Sequence, residues 1–235
     1  MPVDVFRPAR PSGRLAVVAH GRNGAPDQPQ IGPLIAACLA RGWGVLAPHL
    51  SHSAANAGAG AAGDFTIAGQ IGDLGAVLGW ARQARADLGW TQGGALMLGH
   101  SMGAHAALRL AAAGAAGEVA GVVAVAPVVS GAMLLAARRR MGPQALAALL
   151  AEVPGAARDW PAHDLIPLAP RIAVPVAVIV GAEDTITPPA DARLLADALP
   201  DLVAFDVLAG AHHCPLGADY ARSIAAALDR IDGRG

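Results

Sequence analysis

Charge is scarce in this chain. Asp, Glu, Lys and Arg make up 15% of its 235 residues, and the formal net charge is −1. No helical stretch carries a long basic stripe, which argues against a nucleic acid partner. Cysteine is scarcer still. Cys38 and Cys214 match neither a metal-site nor a redox spacing, and reduced thiols in a cytoplasmic protein are the expectation. The histidines do not fall at spacings of a closed tetrahedral site, so no metal is expected. No apolar run reaches about 18 residues, the rough length of a spanning helix. The opening MPVDVFRPARPSGR lacks the apolar core of an export signal. Neither a membrane nor export is therefore expected. The 54% hydrophobic content rests largely on alanine, which favours helix and close helix–sheet packing.

What is present is alternation. Short β-type runs are predicted at Leu15–Ala19, Gly44–Ala47, Ala95–Leu98, Val119–Val125, Pro175–Val180 and Val203–Leu208. Helices are predicted between and after them, at Ile31–Ala40, Thr66–Leu88, Ala104–Ala113, Ala190–Leu199 and Gly217–Ile231. Near-continuous apolar runs such as VAGVVAV suit strands buried on both faces of a parallel sheet. The expected architecture is α/β: one domain over residues 1–235, a three-layer αβα sandwich with a mostly parallel sheet. The interval between the strands at Val119 and Pro175 breaks the rhythm. Ser130–Leu150 reads as one or two helices and Pro154–Pro170 as an irregular return, together a helical cap insertion at about 130–170. A long ordinary crossover is the alternative.

The strongest local signal is Gly99-His100-Ser101-Met102-Gly103, a G-x-S-x-G pattern with a strand before it and a helix after it. That setting presents a serine on a sharp, strained turn. Glycines flank it because side chains there would collide with the neighbouring strand and helix. A serine hydroxyl is a weak nucleophile and needs a base, which in turn needs an orienting group. The expected chain order is serine, acid, histidine. The acid is offered just past a buried strand, in VGAEDTITPP, as Asp184 or Glu183. The base follows the last strand, in GAHHCP, as His212 or His213. A developing oxyanion needs preorganised N–H donors. The N–H of Met102 is one candidate, and that of Arg22, in the loop AHGRNG after the first long strand, is the other.

With these residues in hand, the sequence resembles the α/β-hydrolase superfamily, and most nearly its small esterase and dienelactone-hydrolase-like branch. The segments VVAHGR, LGHSMGA, VGAEDTITPP and GAHHCP carry the resemblance over nearly the whole chain. It implies the α/β-hydrolase fold and no cofactor, and it selects Asp184 and His213 over their neighbours. It departs from dienelactone hydrolases proper in having Ser101 where they carry cysteine. The implied function is a serine hydrolase that cleaves carboxylic esters of small to medium acyl groups through an acyl-enzyme. Its partner is a small-molecule ester or thioester. Thioester, peptide, lactone or C–C bond cleavage by the same triad, or a non-catalytic binding role, are the alternatives. Candidate substrate contacts are His20, His100, His105 and Leu134. His49 and His52 are further pocket candidates, or simply loop histidines. Arg138–Arg140 reads as a solvated helix face or as a site for an anionic substrate group.

Overall fold

A computed structural model describes residues 1–114 and 118–233 of the chain. Its elements, in order, are β1 (Val3–Phe6), β2 (Leu15–Ala19), α1 (Gly32–Ala40), β3 (Gly44–Pro48), α2 (Ile67–Gln83), β4 (Ala95–His100), α3 (Met102–Ala112), β5 (Val119–Val125), α4 (Gly131–Arg140), α5 (Pro143–Glu152), α6 (Ala156–Asp159), β6 (Val176–Gly181), α7 (Pro189–Ala198), β7 (Leu202–Leu208) and α8 (Gly217–Asp232). The strands form one seven-stranded sheet in the order β1-β3-β2-β4-β5-β6-β7. Only β1 runs antiparallel, pairing Val3 with Pro48 and Phe6 with Val45. The other ladders are parallel, among them β2 on β4 and β4 on β5.

Side chains alternate across each strand, so each strand feeds two cores. Val17, Met97, Val122 and Val178 join α2, α3 and α7 in one apolar cluster. Val18, Leu98, Val123 and Ile179 join α1 and α8 in another, on the opposite face. This is the expected three-layer sandwich, and the apolar strand runs reflect burial on both faces.

The predicted helix Thr66–Leu88 is shorter at both ends. Thr66 is extended and caps the helix, its Oγ1 accepting from Gly69 N–H at 3.0 Å. Beyond Gln83 the chain continues in turns to Gly89, which has φ +65°. Between β5 and β6 there are two longer helices where one or two were expected. Gly142 separates α4 from α5 at φ +110°, a conformation open to glycine, and Pro143 starts the next helix. The irregular return resolves into α6 and two short 3₁₀ turns, Trp160–Ala162 and Ile166–Arg171. Leu134, Leu135, Leu149, Val153 and Trp160 of this segment pack on Phe65, Met102 and Val128 in a third apolar cluster. That cluster lies beside Ser101, at the carboxyl edge of the sheet, where open α/β sheets place their sites.

Candidate active site

Ser101 occupies the single residue between β4 and α3 and has φ +58°, ψ −118°. A non-glycine residue there is strained, by about 1–3 kcal/mol. The surroundings hold it in place. Ser101 N–H donates to Val125 O at 2.9 Å, tying the turn to β5. A methyl on Gly99 would sit 2.4 Å from Ala104 N, and one on Gly103 would sit 2.4 Å from Ala19 O. Both glycines of the motif are therefore demanded by contact with backbone.

Three side chains from distant parts of the chain meet at this turn. Ser101 Oγ lies 3.0 Å from His213 Nε2, and His213 Nδ1 lies 2.9 Å from Asp184 Oδ2. Asp184 follows β6, and its buried carboxylate is closely held. Oδ1 accepts from the N–H groups of Ile186 (2.8 Å) and Thr187 (2.9 Å), and Oδ2 accepts from the Thr187 hydroxyl (2.7 Å). Burial by itself pushes this carboxyl up; the hydrogen bonds from His213 and Thr187 outweigh it and hold the group below its ordinary value. The loops after β6 and β7 touch. A methyl on Gly181 would lie 2.2 Å from Ala211 O, so glycine lets the histidine loop seat against the aspartate loop. The rival residues pair elsewhere: exposed His212 reaches Glu183, with Nε2 3.5 Å from its carboxylate.

The loop after β2 lies against Ser101. A methyl on Gly21 would stand 3.0 Å from Ser101 Cβ, which puts the following residue, Arg22, at the serine. Met102 opens α3, so its N–H is one of the donors that a helix start leaves without an intrahelical partner. These are the two amides expected to face a developing oxyanion.

Scans of protein-family models and of curated proteins find no match. Solved structures do match. Est1E from Butyrivibrio proteoclasticus, determined with ferulic acid bound, is similar at TM-score 0.75 and 15% identity, over 98% of this chain and 95% of that one. An alpha-beta serine hydrolase homologue from Coxiella burnetii is similar at TM-score 0.65 and 18% identity, over 99% and 91%. A monoacylglycerol lipase from Paleococcus ferrophilus is similar at TM-score 0.64 and 18% identity, over 99% of both chains. The chain has the α/β-hydrolase fold.

Within the α/β-hydrolase fold of this chain, the histidines expected along a substrate pocket have other places. His20, His100 and His105 are 1%, 3% and 0% exposed, so none presents a ring to open space. This corrects the expectation that they contact substrate. His100 Nε2–H donates to His213 O at 2.8 Å, supporting the loop that carries His213. His105 Nδ1–H donates to Val128 O at 2.8 Å, bracing α3 against the chain after β5. His20 Nδ1–H donates to Gly21 O at 2.8 Å, while its Nε2 accepts from Leu50 N–H (3.1 Å) and lies 2.9 Å from Asn56 Nδ2. Burial pushes all three rings down to about 4, so they are neutral at pH 7. His49 pairs with Asp4 across β1 and β3, and His52 contacts Ala61 O. Leu134 is 6% exposed and belongs to the apolar cluster that includes Met102.

Three supporting residues went unnoticed in the sequence: Thr187, Gln70 and Asn56. Gln70 Nε2 donates to His20 O at 2.8 Å and fastens the loop that carries Arg22. A signal for it existed, since Gln70 is a polar residue on the buried face of α2 defined by Ile67, Leu74 and Leu78. Thr187 and Asn56 lie in loops, where periodicity is silent. Among the described residues, no group of three His, Cys, Asp or Glu is placed to hold a metal ion, and no helix is long and apolar enough to cross a membrane.

Proposed function

We propose that this protein is a serine hydrolase that cleaves carboxylic ester bonds through an acyl-enzyme. The observation that carries the reading is the unbroken relay Ser101–His213–Asp184, at 3.0 and 2.9 Å. His213 Nε2 takes the Ser101 proton as Oγ attacks the carbonyl carbon. His213 Nδ1–H stays on Asp184, which fixes the tautomer and stabilises the imidazolium that forms. The N–H groups of Met102 and Arg22 receive the oxyanion, each donor contributing about 3 kcal/mol to the transition state. Collapse of the tetrahedral intermediate expels the alcohol, protonated by His213. Water, activated by the same imidazole, then releases the acid and restores Ser101. The apolar cluster of Leu134, Leu135 and Leu149 that packs on Met102 supports a preference for apolar acyl groups of small to medium size. The reduced thiols Cys38 and Cys214 fit a cytoplasmic location. Esterases and a lipase among proteins of the same fold add support.

A fluorophosphonate probe tests the reading directly. Wild type is expected to be labelled and Ser101→Ala is not. Turnover of p-nitrophenyl butyrate is expected to fall by a factor on the order of 10⁴ in His213→Ala, and to stay within about twofold of wild type in His212→Ala. Labelling that survives Ser101→Ala, or equal mild losses in the two histidine variants, would overturn the assignment.

A further inference from the structure

The loop that carries Arg22 needs ties from elsewhere to keep its shape. Residues 20–31 form turns, without helix or strand, and Asn23 among them has φ +52°. That is left-handed backbone, less favourable for a residue with a side chain than for glycine. Several of the ties come from one stretch, residues 51–60. Its sequence, SHSAANAGAG, offers no apolar side chain larger than alanine for a core. It is nevertheless folded tightly back on the end of β3. His52 N–H donates to Ala59 O at 2.8 Å, Ala57 N–H donates to His49 Nδ1 at 3.2 Å, and a methyl on Gly58 would stand 2.4 Å from Leu50 O.

This fold turns Asn56 toward the loop after β2. Backbone groups fix which way its amide points. Oδ1 accepts from Gly58 N–H at 2.6 Å, so the Nδ2 hydrogens lie on the other side. They serve Gly24 O at 2.8 Å and His20 Nε2 at 2.9 Å, with Leu50 O farther at 3.3 Å. The imidazole is fixed in the same way. Leu50 N–H can only donate, so His20 Nε2 accepts and Nδ1 carries the proton. That proton goes to Gly21 O at 2.8 Å, which also accepts from Gly24 N–H at 3.0 Å. Ser53 Oγ, itself buried, donates to Gly24 O at 2.7 Å beside Asn56. Gly21 C=O and Arg22 N–H belong to one peptide unit, and in a trans peptide they point in opposite directions. Holding the carbonyl on the His20 side therefore sets the direction of the Arg22 N–H.

We propose that Asn56 is a positioning residue for the reaction: its amide grips His20 and Gly24, on either side of Arg22, and so aims the Arg22 N–H at the developing oxyanion. This deepens the proposed hydrolase function and rests on it. Asn56 acts through the Gly21–Arg22 peptide and not on the reacting atoms. The oxyanion develops only as the reaction proceeds and is absent from the bound ester. A misaimed donor therefore lowers kcat and leaves KM nearly unchanged. Misplacement by about 1 Å can cost on the order of 10²-fold in rate.

Two variants of Asn56 test this. Asn56→Asp keeps the shape and the acceptor for Gly58 N–H and removes the bonds donated to Gly24 O and His20 Nε2; Asn56→Ala removes the acceptor as well. In both, kcat for p-nitrophenyl butyrate is expected to fall roughly 30-fold, with KM within about twofold of wild type; outright removal of an oxyanion donor costs roughly 10²–10³-fold. The second readout is the ketone 1,1,1-trifluoroheptan-2-one. Ser101 Oγ adds to its carbonyl carbon, the serine proton passes to His213, and the negative charge rests on the former carbonyl oxygen. Its Ki is expected to rise by the same factor as kcat falls, which a loss of stability alone does not produce; melting temperatures report stability separately. Ser53→Ala removes one of the two side-chain donors to Gly24 O and is expected to move kcat and Ki together by about threefold. It carries the test where an Asn56 variant does not fold. Wild-type kcat in either folded Asn56 variant, a change confined to KM, or a fall in kcat with Ki unmoved overturns the positioning role. So does an unmoved kcat and Ki in Ser53→Ala when the Asn56 variants fail to fold. Fluorophosphonate labelling of wild-type Ser101 leaves the hydrolase reading standing under each of these results. Absence of both labelling and turnover in wild type removes both.

Discussion

The hydroxyl of Thr187 sits where three groups of the site meet. It lies 2.7 Å from Asp184 Oδ2, 3.1 Å from His213 Nδ1 and 3.1 Å from Ala126 O. It has one proton to give, and the shortest, charge-assisted bond goes to the carboxylate. Valine has nearly the same shape and lacks that bond. In Thr187→Val, kcat/KM for p-nitrophenyl butyrate is expected to fall about tenfold, the value of one hydrogen bond to a charged group. Thr187→Ser keeps a hydroxyl and is expected to recover most of the loss; equal losses in both variants would show that the methyl, not the hydroxyl, matters. The grouping of Ser101, Asp184 and His213 was legible from residue types in order: a serine between glycines after a strand, an acid past a later strand, a histidine past the last. The neighbouring pairs Glu183/Asp184 and His212/His213 were separable only through the resemblance, because one residue of register decides which side chain turns inward. Thr187 carries no such mark. His105 misled for a related reason. A histidine inside an alanine-rich helix suits either a pocket wall or the core, and the choice was made by Val128 O, contributed by a different element.

At the scale of elements, the sheet was readable because each buried strand is a compact apolar run ended by glycine, proline or a helix start. The stretch between β5 and β6 was harder, since α4, α5 and α6 are held by one another and by the apolar cluster over Met102 more than by local pattern. Gly142 and Pro143 mark the break between α4 and α5, yet the partner of each helix is not written locally. Gly131, at the start of α4, shows what holds the segment. A methyl there would stand 2.1 Å from Trp160 O and 2.5 Å from Trp160 C. Both are backbone atoms of the returning turn, so relief requires the helix and the turn to part. Gly131→Ala is expected to lower stability by about 1–3 kcal/mol, read as a depressed melting temperature. Limited proteolysis is expected to cut first within residues 131–171, with the sheet's circular dichroism kept. A melting curve that overlays wild type would show that this close approach does not secure the segment.

The whole molecule stores a dependence on acid in its buried rings. His20, His100 and His105 are buried in three different settings: the loop after β2, the end of β4 and the first turn of α3. Burial lowers each from an ordinary 6.5 to about 4. Above pH 6.5 the ring is neutral in both folded and unfolded chains, and stability is fully present. As pH falls below 6.5 the unfolded chain takes up protons that the folded chain refuses until about pH 4, so unfolding gains. Each ring contributes a slope of up to about 1.4 kcal/mol per pH unit across that window. Asp184 acts in the same direction at lower pH, since its carboxyl is held below its ordinary value and its contribution disappears once it is protonated in the fold. Urea midpoints are therefore expected to hold steady from pH 8 to 7 and to fall progressively from about pH 6.5 to 4. His105→Phe replaces one titrating ring with an apolar ring of similar size and keeps the backbone N–H that donates to Ser101 O at 3.1 Å. Its midpoint at pH 7 drops with the loss of the bond to Val128 O, but its descent with acid is expected to be shallower than that of wild type. Parallel descents in the two proteins would mean that His105 takes its proton as easily inside the fold as outside it, and would remove burial as the source of the acid sensitivity.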